Sequence, residues 1–277
     1  MRAVVSLLLT GLVGYLALVV FVYFYQARLL YFPNVPGREL EATPQSLGLA
    51  YEELSLTTAD NVKLHGWFVP AADNAAAVIL CHGNAGNISH RLDKLRVFHD
   101  LGLAVLLFDY RGYGRSEGEP DEEGTYRDAR AAWDYLTTRR GVPAARIVIV
   151  GESMGGPVAA HLAQEVRPGA LILASTFTSA TNLAARFYWY LPVRLIAKFR
   201  YPTVDYVARV RAPVLVIHSR DDEIVPFAHG EELFSRAAAP TQFLEIFGDH
   251  NAGFTMSGPR LAEGLREFLV TQGLLQP

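Results

Sequence analysis

Several sequence features that mark common functional classes are rare or absent in this chain. It contains a single cysteine, Cys81, so no disulfide can form within the chain and compartment is not decided by redox. The formal net charge is -3 over 277 residues, which gives no basic excess for a nucleic-acid partner. The 8 histidines include no close pair at zinc-ligand spacing. We therefore expect no nucleic-acid partner, no metal and no other cofactor.

The N-terminus lacks charge over a long stretch. Residues Ala3 to Tyr25 contain no charged side chain and would extend roughly 34 Å as a helix, enough to cross a hydrocarbon core of about 30 Å. A cleaved signal peptide is the alternative, but its apolar region is shorter and ends at small residues, whereas this run ends in bulky aromatics. The sequence predicts an uncleaved membrane anchor, with the rest of the chain on the non-cytoplasmic side.

The chain after the anchor divides into a connector and one folded domain. We assign residues 1–27 to the anchor, 28–50 to a proline-containing connector and 51–277 to the domain. Apolar runs suited to strands recur at 51–58, 62–69, 77–82, 103–109, 147–151, 170–175, 213–218 and 242–247. Helical patterns occur at 88–101, 124–139, 154–166, 228–238 and 259–272.

This alternation predicts an α/β fold. The first two runs alternate around a turn and predict an antiparallel hairpin, and the later runs are apolar on both faces, as in buried parallel strands. We therefore expect a mostly parallel sheet with helices on both faces. The link from 176 to 212 is too long for a simple crossover, so we interpret it as a small cap insertion. Its aromatic residues either pack the cap or line an acyl-substrate pocket.

The stretch "IVIVGESMGG" (147–156) carries Gly-x-Ser-x-Gly between a strand and a helical pattern. Such a serine projects from a tight strand-to-helix turn, and the small residues around it relieve the crowding there. The pattern predicts Ser153 as a nucleophile. The backbone N–H of Met154, at the start of the helix, is then placed to stabilise an oxyanion.

A serine hydroxyl needs a base to become a nucleophile. In enzymes with this turn the order along the chain is nucleophile, acid, histidine, each of the last two on a loop after a later strand. Asp221 and Asp222 both follow the strand at 213–218, and His250 follows the last strand. The other histidines come too early in the chain to serve as the base.

The loop "HGNAGN" (82–87) follows the third strand. It lacks the spacing of a phosphate-binding loop, and Cys81 and His82 point to opposite faces of a strand, which argues against a shared metal. If Ser153 carries out acyl transfer, the oxyanion needs a second main-chain N–H donor besides Met154, and this donor comes from the loop after the third strand. Glycines in that loop let the backbone approach a substrate. We predict Asn84 N–H as that donor, with Ala85 N–H as the alternative and His82 as a loop-ordering partner.

Five motifs together resemble a known group: "HGNAGNISHRL", "DYRGYGRSEGEPDEEGTYRDA", "GESMGG", "DDEIVP" and "GDHN". The chain from about residue 51 onward is similar to the membrane-anchored α/β-hydrolases grouped with abhydrolase domain-containing proteins 13 and 17. The resemblance implies an α/β-hydrolase fold and a serine hydrolase with Ser153, Asp222 and His250 as triad. The group's pattern Asp-x-Ile/Val-Val/Ile-Pro selects Asp222, and we interpret Arg111 to Gly114 as a structural turn.

We expect an esterase-like serine hydrolase that cleaves carboxylic esters or thioesters of small acyl or lipid substrates beside the bilayer. A serine peptidase on the same fold stays open as an alternative, as does a protein-depalmitoylating thioesterase, which the group's depalmitoylating members imply. A catalytically silent scaffold would lack a member of the triad, and none is missing here. No expectation about oligomeric state follows from the sequence.

Overall fold

The apolar runs form one sheet of eight strands in the computed structural model, which describes residues 1–276. The strands, in chain order, are β1 Glu52–Thr57, β2 Lys63–Val69, β3 Ala77–Cys81, β4 Ala104–Phe108, β5 Ile147–Glu152, β6 Ala170–Ala174, β7 Val214–Ser219 and β8 Thr241–Ile246. Their order across the sheet is β1-β2-β4-β3-β5-β6-β7-β8. The pairs β1/β2 and β2/β4 are antiparallel and the remaining five pairs are parallel. The predicted fold class is confirmed.

Helices cover both faces of this sheet. They are α1 Arg2–Leu30, α2 Leu92–Asp100, α3 Glu122–Asp134, α4 Gly155–Glu165, α5 Ala180–Phe187, α6 Val193–Ile196, α7 Thr203–Val207, α8 Phe227–Arg236, α9 Gly253–Met256 and α10 Gly258–Thr271. Side chains alternate across each strand, so Ile79 of β3 belongs to one buried apolar cluster, together with residues of α3 and α4. Val78 and Leu80 belong to a second cluster on the opposite face, together with residues of α2. The inner strands β3, β4 and β6 are apolar throughout because neither face meets water, whereas the edge strands β1 and β8 carry exposed or half-buried polar side chains.

Helix α3 begins two residues before the predicted start. The Asp121 side chain accepts a hydrogen bond from Gly124 N (2.8 Å) and caps the helix, and Glu122 and Glu123 favour its first turn. Regular α-helix ends at Asp134, and one wider turn continues to Arg139. The predicted helix is therefore present. Its C-terminal end is not regular α-helix, because the hydrogen bonds of the last turn span one more residue than those of an α-helix.

The link between β6 and β7 holds three short helices, α5, α6 and α7, which form the cap. Glu122 of α3 joins the cap to the rest of the domain, because its carboxylate accepts hydrogen bonds from Arg200 N (2.6 Å) and Tyr201 N (2.8 Å). Tyr201 is buried, and its hydroxyl bonds to Thr125 Oγ1 (3.0 Å) and to Tyr31 OH (2.8 Å). The cap, the domain and the end of the first helix are therefore joined by one buried polar network.

Helix α1 is long and apolar, and none of its residues is buried against the domain. Its most apolar 18-residue window has a mean hydropathy of 2.5, which is enough for a membrane span by length and composition. The helix continues through Leu30, so the first three residues of the predicted connector are helical. It ends there because Tyr31 is extended and Pro33 follows.

Arg111 lies in the turn after β4 and pairs with Asp128 of α3. Its Nε and Nη2 donate to Asp128 Oδ1 (2.9 and 2.8 Å), and its backbone N–H donates to Asp128 Oδ2 (2.8 Å). Both side chains are buried, and Asp60 adds a second carboxylate to the guanidinium. This agrees with the prediction that the turn is structural.

Replacing Asp128 by alanine would leave a buried guanidinium with only Asp60, and such a loss costs about 3 kcal/mol. For a domain of this size we expect the Tm to fall by about 6–12 °C in a thermal unfolding experiment on the full chain in detergent. The control is Asp134→Ala, which removes a half-exposed pair with Arg130 and is expected to shift the Tm by less than about 2 °C. Equal shifts in the two variants would contradict this account.

Candidate active site

Ser153 occupies the tight turn between β5 and α4. Its φ is +50°, in the left-handed region that residues with a side chain rarely adopt. Backbone strain of this kind is typical of a serine that must project from a strand-to-helix turn. Ser153 N donates to Ala174 O (3.0 Å), and Thr176 Oγ1 donates to Ser153 O (2.6 Å). The end of β6 and the residues after it therefore hold the strained backbone in place.

Two glycines after Ser153 permit a close crossing of α4 over the sheet. A Cβ at Gly155 would lie 2.0 Å from Cys81 O, and one at Gly156 would lie 2.1 Å from Thr176 Oγ1. Neither position can carry a side chain without moving backbone or a neighbouring residue. Cys81 is itself fully buried, and burial raises the pKa of its thiol to about 12, so it is a packing residue.

The structure brings Ser153, His250 and Asp222 into one chain of hydrogen bonds. His250 Nε2 lies 3.0 Å from Ser153 Oγ, and His250 Nδ1 lies 2.8 Å from Asp222 Oδ2. With Asp222 ionised, Nδ1–H is the donor to the carboxylate and Nε2 is free to accept from the serine hydroxyl. The other seven histidines make no hydrogen bond to Ser153 Oγ within residues 1–276.

The two neighbouring aspartates have different surroundings. Asp222 is buried, and its Oδ1 accepts from the N–H groups of Ile224 (3.0 Å) and Val225 (2.7 Å), which fixes Oδ2 toward His250. Asp221 instead accepts from Gly248 N (3.2 Å). The geometry favours Asp222 as the partner of His250, whereas Asp221 positions the loop that carries the histidine.

Two residues close to these hydrogen bonds, His218 and Glu223, were not identified from the sequence as residues that support the site. His218 is buried, lies 3.5 Å from Asp222 Oδ2 and bonds to Val225 O (2.8 Å), and burial lowers its pKa. Glu223 accepts from His250 N (3.1 Å). Neither contact could be read from the sequence, because a sequence pattern does not show which loop residues meet across the site.

The predicted oxyanion donors flank Ser153 from two loops. A Cβ at Gly83 would lie 3.4 Å from Ser153 Cβ, so the backbone before Asn84 passes directly beside the serine. Within the part of the chain that the structure describes, the N–H groups of Asn84 and Met154 donate to no acceptor. Ala85 N already donates to Asn84 Oδ1 (2.9 Å), and Ala85 has a φ of +62°. This geometry favours Asn84 over the alternative, Ala85.

His82 orders the loop, as expected. It is fully buried, and its Nδ1–H donates to Gly83 O (2.7 Å). Burial lowers the pKa of His82 to about 3, so the ring is neutral at physiological pH. No group of three or more metal-ligating side chains is found among residues 1–276, and His82 takes part in no such cluster.

The side chain of Asn84 has a function that the sequence did not indicate. Its Nδ2 donates to Leu30 O (2.6 Å), and its Oδ1 accepts from Phe32 N (3.2 Å) and from Tyr113 OH (2.7 Å). Asn84 therefore joins the end of α1 to the loop beside Ser153. Its partners Leu30 and Phe32 are 54 and 52 positions away along the chain, so no local pattern signals the contact.

Proteins with similar sequences match almost the whole chain. The protein Rv2307c of Mycobacterium tuberculosis is 38% identical over 276 residues, which is 99% of this chain and 95% of the relative. The α/β-hydrolase domain-containing protein WAV2 of Arabidopsis thaliana is 35% identical and is matched over 78% of this chain and 76% of its own length. A family model for the α/β-hydrolase fold matches residues 76–209. The chain belongs to the α/β-hydrolase family.

A solved structure agrees with this fold. The esterase Pf2001 of Pyrococcus furiosus superposes with a TM-score of 0.72 at 24% sequence identity, over 87% of this chain and 99% of the esterase. At this identity the likeness concerns the fold. The fold with Ser153, His250 and Asp222 at the carboxyl ends of parallel strands is the arrangement on which this family builds its sites.

A matched pair of variants distinguishes the roles of Asp222 and Asp221. In Asp222→Asn the histidine loses its carboxylate partner and takes the wrong tautomer, so we expect kcat for an acyl ester to fall by about 10⁴-fold. Asp221→Asn keeps an oxygen for Gly248 N and is expected to lower kcat by less than about tenfold. Steady-state kinetics at neutral pH measure both effects. A larger loss in Asp221→Asn than in Asp222→Asn would contradict the assignment.

Proposed function

We propose that the protein is a membrane-anchored serine hydrolase that cleaves carboxylic esters or thioesters of acyl or lipid type through an acyl-enzyme. The observation that carries this proposal is the hydrogen-bonded chain from Ser153 through His250 to Asp222, with the serine on a strained strand-to-helix turn. The similarity to the membrane-anchored hydrolases grouped with abhydrolase domain-containing proteins 13 and 17 supports it, as does the fold shared with an esterase.

The proposed reaction begins when Ser153 Oγ attacks the acyl carbonyl while His250 Nε2 accepts its proton. The N–H groups of Asn84 and Met154 stabilise the oxyanion that forms, because both donors are free and fixed in place. His250 then gives the proton to the leaving alcohol or thiol, which departs and leaves an acyl-serine. A water molecule, deprotonated by His250, attacks that ester, and release of the carboxylic acid restores Ser153.

Ser153→Ala removes the nucleophile and leaves the fold intact, so we expect loss of fluorophosphonate labelling and of p-nitrophenyl ester hydrolysis. The loss in kcat should be at least about 10³-fold. The control is Ser235→Ala, because Ser235 is exposed on α8 and contacts only its own helix. If wild-type protein takes no fluorophosphonate label, the proposed chemistry is wrong. A peptide panel tests the peptidase alternative, and we expect no cleavage.

The proposal includes an anchor in the bilayer. As a helix of 29 residues, α1 is about 43 Å long, whereas the hydrocarbon core is about 30 Å thick. Arg2 and the amino terminus would stay in the cytoplasm and the domain would lie on the other side.

This arrangement predicts that the full chain stays in the membrane pellet after alkaline carbonate washing. It also predicts that protease added to intact spheroplasts digests the domain. The control is a cytoplasmic marker protein, which must survive the same treatment. A domain that is protected until the membrane is opened would reverse the assigned side, and release by carbonate would contradict the anchor itself.

A further inference from the structure

An apolar cavity of about 320 Å³ separates the C-terminal part of α1 from the cap. One wall is formed by the helix, including Leu18, Val22 and Leu30, and the other by the cap, including Ala184, Leu191 and Phe199. No charged side chain lines it. The volume is at the lower end of small-molecule sites, which span roughly 300–1,000 Å³. From this cavity we infer a binding site for the single linear acyl chain of a lipid ester drawn from the bilayer. This inference rests on the proposed function.

The two walls are held at a fixed separation. Gln26 Nε2 donates to Ile196 O (2.7 Å), and Gln26 Oε1 accepts from Lys198 N (2.8 Å). Nearer the N-terminus, Tyr15 OH donates to Tyr190 O (3.0 Å). The polar groups of the Gln26 amide are therefore used by the cap backbone. The other polar side chains of the lining are the hydroxyl-bearing Thr181, Tyr188 and Tyr190, and the rest of the lining is apolar, which suits an acyl chain.

The cap surface around the cavity is apolar and exposed. Trp189 and Leu195 are 81% and 87% exposed, and Phe187 is 49% exposed. Because these residues adjoin a helix that is itself suited to the bilayer, they would lie in lipid, where tryptophan and tyrosine favour the interface. Lys198 places its ammonium 4.1 Å from the ring centre of Tyr23, as expected where a chain leaves the hydrocarbon. The cavity thus opens where acyl chains are concentrated.

Two of the residues that line the cavity, Leu30 and Ala180, lie close in the chain or in space to residues that contact the candidate site. Leu30 lines the cavity, and its carbonyl accepts the hydrogen bond from Asn84 Nδ2 (2.6 Å). The residue before Asn84, Gly83, lies against Ser153. The wall formed by the cap is also near the serine. Ala180 lines the cavity, and Thr176, four residues earlier in the chain, donates a hydrogen bond to Ser153 O. We therefore assign the carbonyl end of the acyl chain to the end of the cavity lined by Leu30 and Ala180, on the side of the predicted oxyanion donors.

Filling the cavity tests this assignment. In full-length protein reconstituted into phosphatidylcholine vesicles, we compare kcat/KM for p-nitrophenyl palmitate and p-nitrophenyl acetate. Ala184→Trp places an indole between the walls, and we expect the palmitate-to-acetate ratio to fall by at least about tenfold. The matched control is Asn182→Trp on the exposed side of the same helix, which should keep the wild-type ratio. An unchanged ratio in Ala184→Trp would overturn the inference, as would an equal fall in the control.

A second measurement needs no catalysis and so separates this inference from the proposed function. Ser153→Ala protein in the same vesicles is irradiated with a diazirine-bearing palmitic acid, and the cross-linked residues are mapped by mass spectrometry. Cross-links concentrated at cavity residues such as Ala184 and Leu191, and lost when Ala184→Trp is added, support the site. Cross-links spread evenly along α1, or confined to exposed residues such as Trp189, overturn it. The even pattern would fit a cavity filled by a transmembrane helix of another protein.

Discussion

The closeness of α4 to the end of β3 is the constraint on which the site depends. Gly155 sits so near the carbonyl of Cys81 that no side chain fits, and this contact sets where the helix begins. Ser153, two residues earlier, is then forced to a φ of +50° and projects from the sheet. The same crossing places Met154 N–H at the start of the helix, where a backbone donor has no partner within the helix. The positions of the proposed nucleophile and of one proposed oxyanion donor therefore follow from a single packing contact.

The second proposed oxyanion donor, Asn84 N–H, is positioned by side-chain contacts rather than by the packing of a helix. The loop after β3 has no regular structure, so its backbone must be fixed by side chains. His82 Nδ1–H donates to Gly83 O, and Arg91, which directly precedes α2, donates to Ala85 O (2.7 Å). Asn84 then bonds to the end of α1 and to Tyr113. A loop held from several directions loses little entropy when substrate binds, which is what a preorganised oxyanion donor requires.

The sequence was sufficient to predict the sheet and the strand-to-helix turn at Ser153, because each depends on a local pattern. Strand boundaries agree within one residue, since apolar runs bounded by turns are unambiguous when both faces are buried. The preference for Asp222 over Asp221 needed a family pattern, because adjacent carboxylates differ only in which loop they face. The contacts of Asn84, Glu122 and Gln26 could not be predicted, because each joins segments far apart in the chain.

The end of α1 connects the proposed anchor directly to the candidate site. The last carbonyls of a helix lack partners within it, and in a helix that leaves a bilayer they must find donors promptly. Leu30 O receives its donor from Asn84, and Phe32 N returns a hydrogen bond to the same side chain. The loop beside the serine thus acts as the C-terminal cap of the helix. If α1 is anchored in a bilayer as proposed, movement of this helix relative to the domain would break these bonds and disturb the loop that carries the proposed oxyanion donor, Asn84 N–H. The depth of the helix in the membrane and the geometry at Ser153 would then be linked.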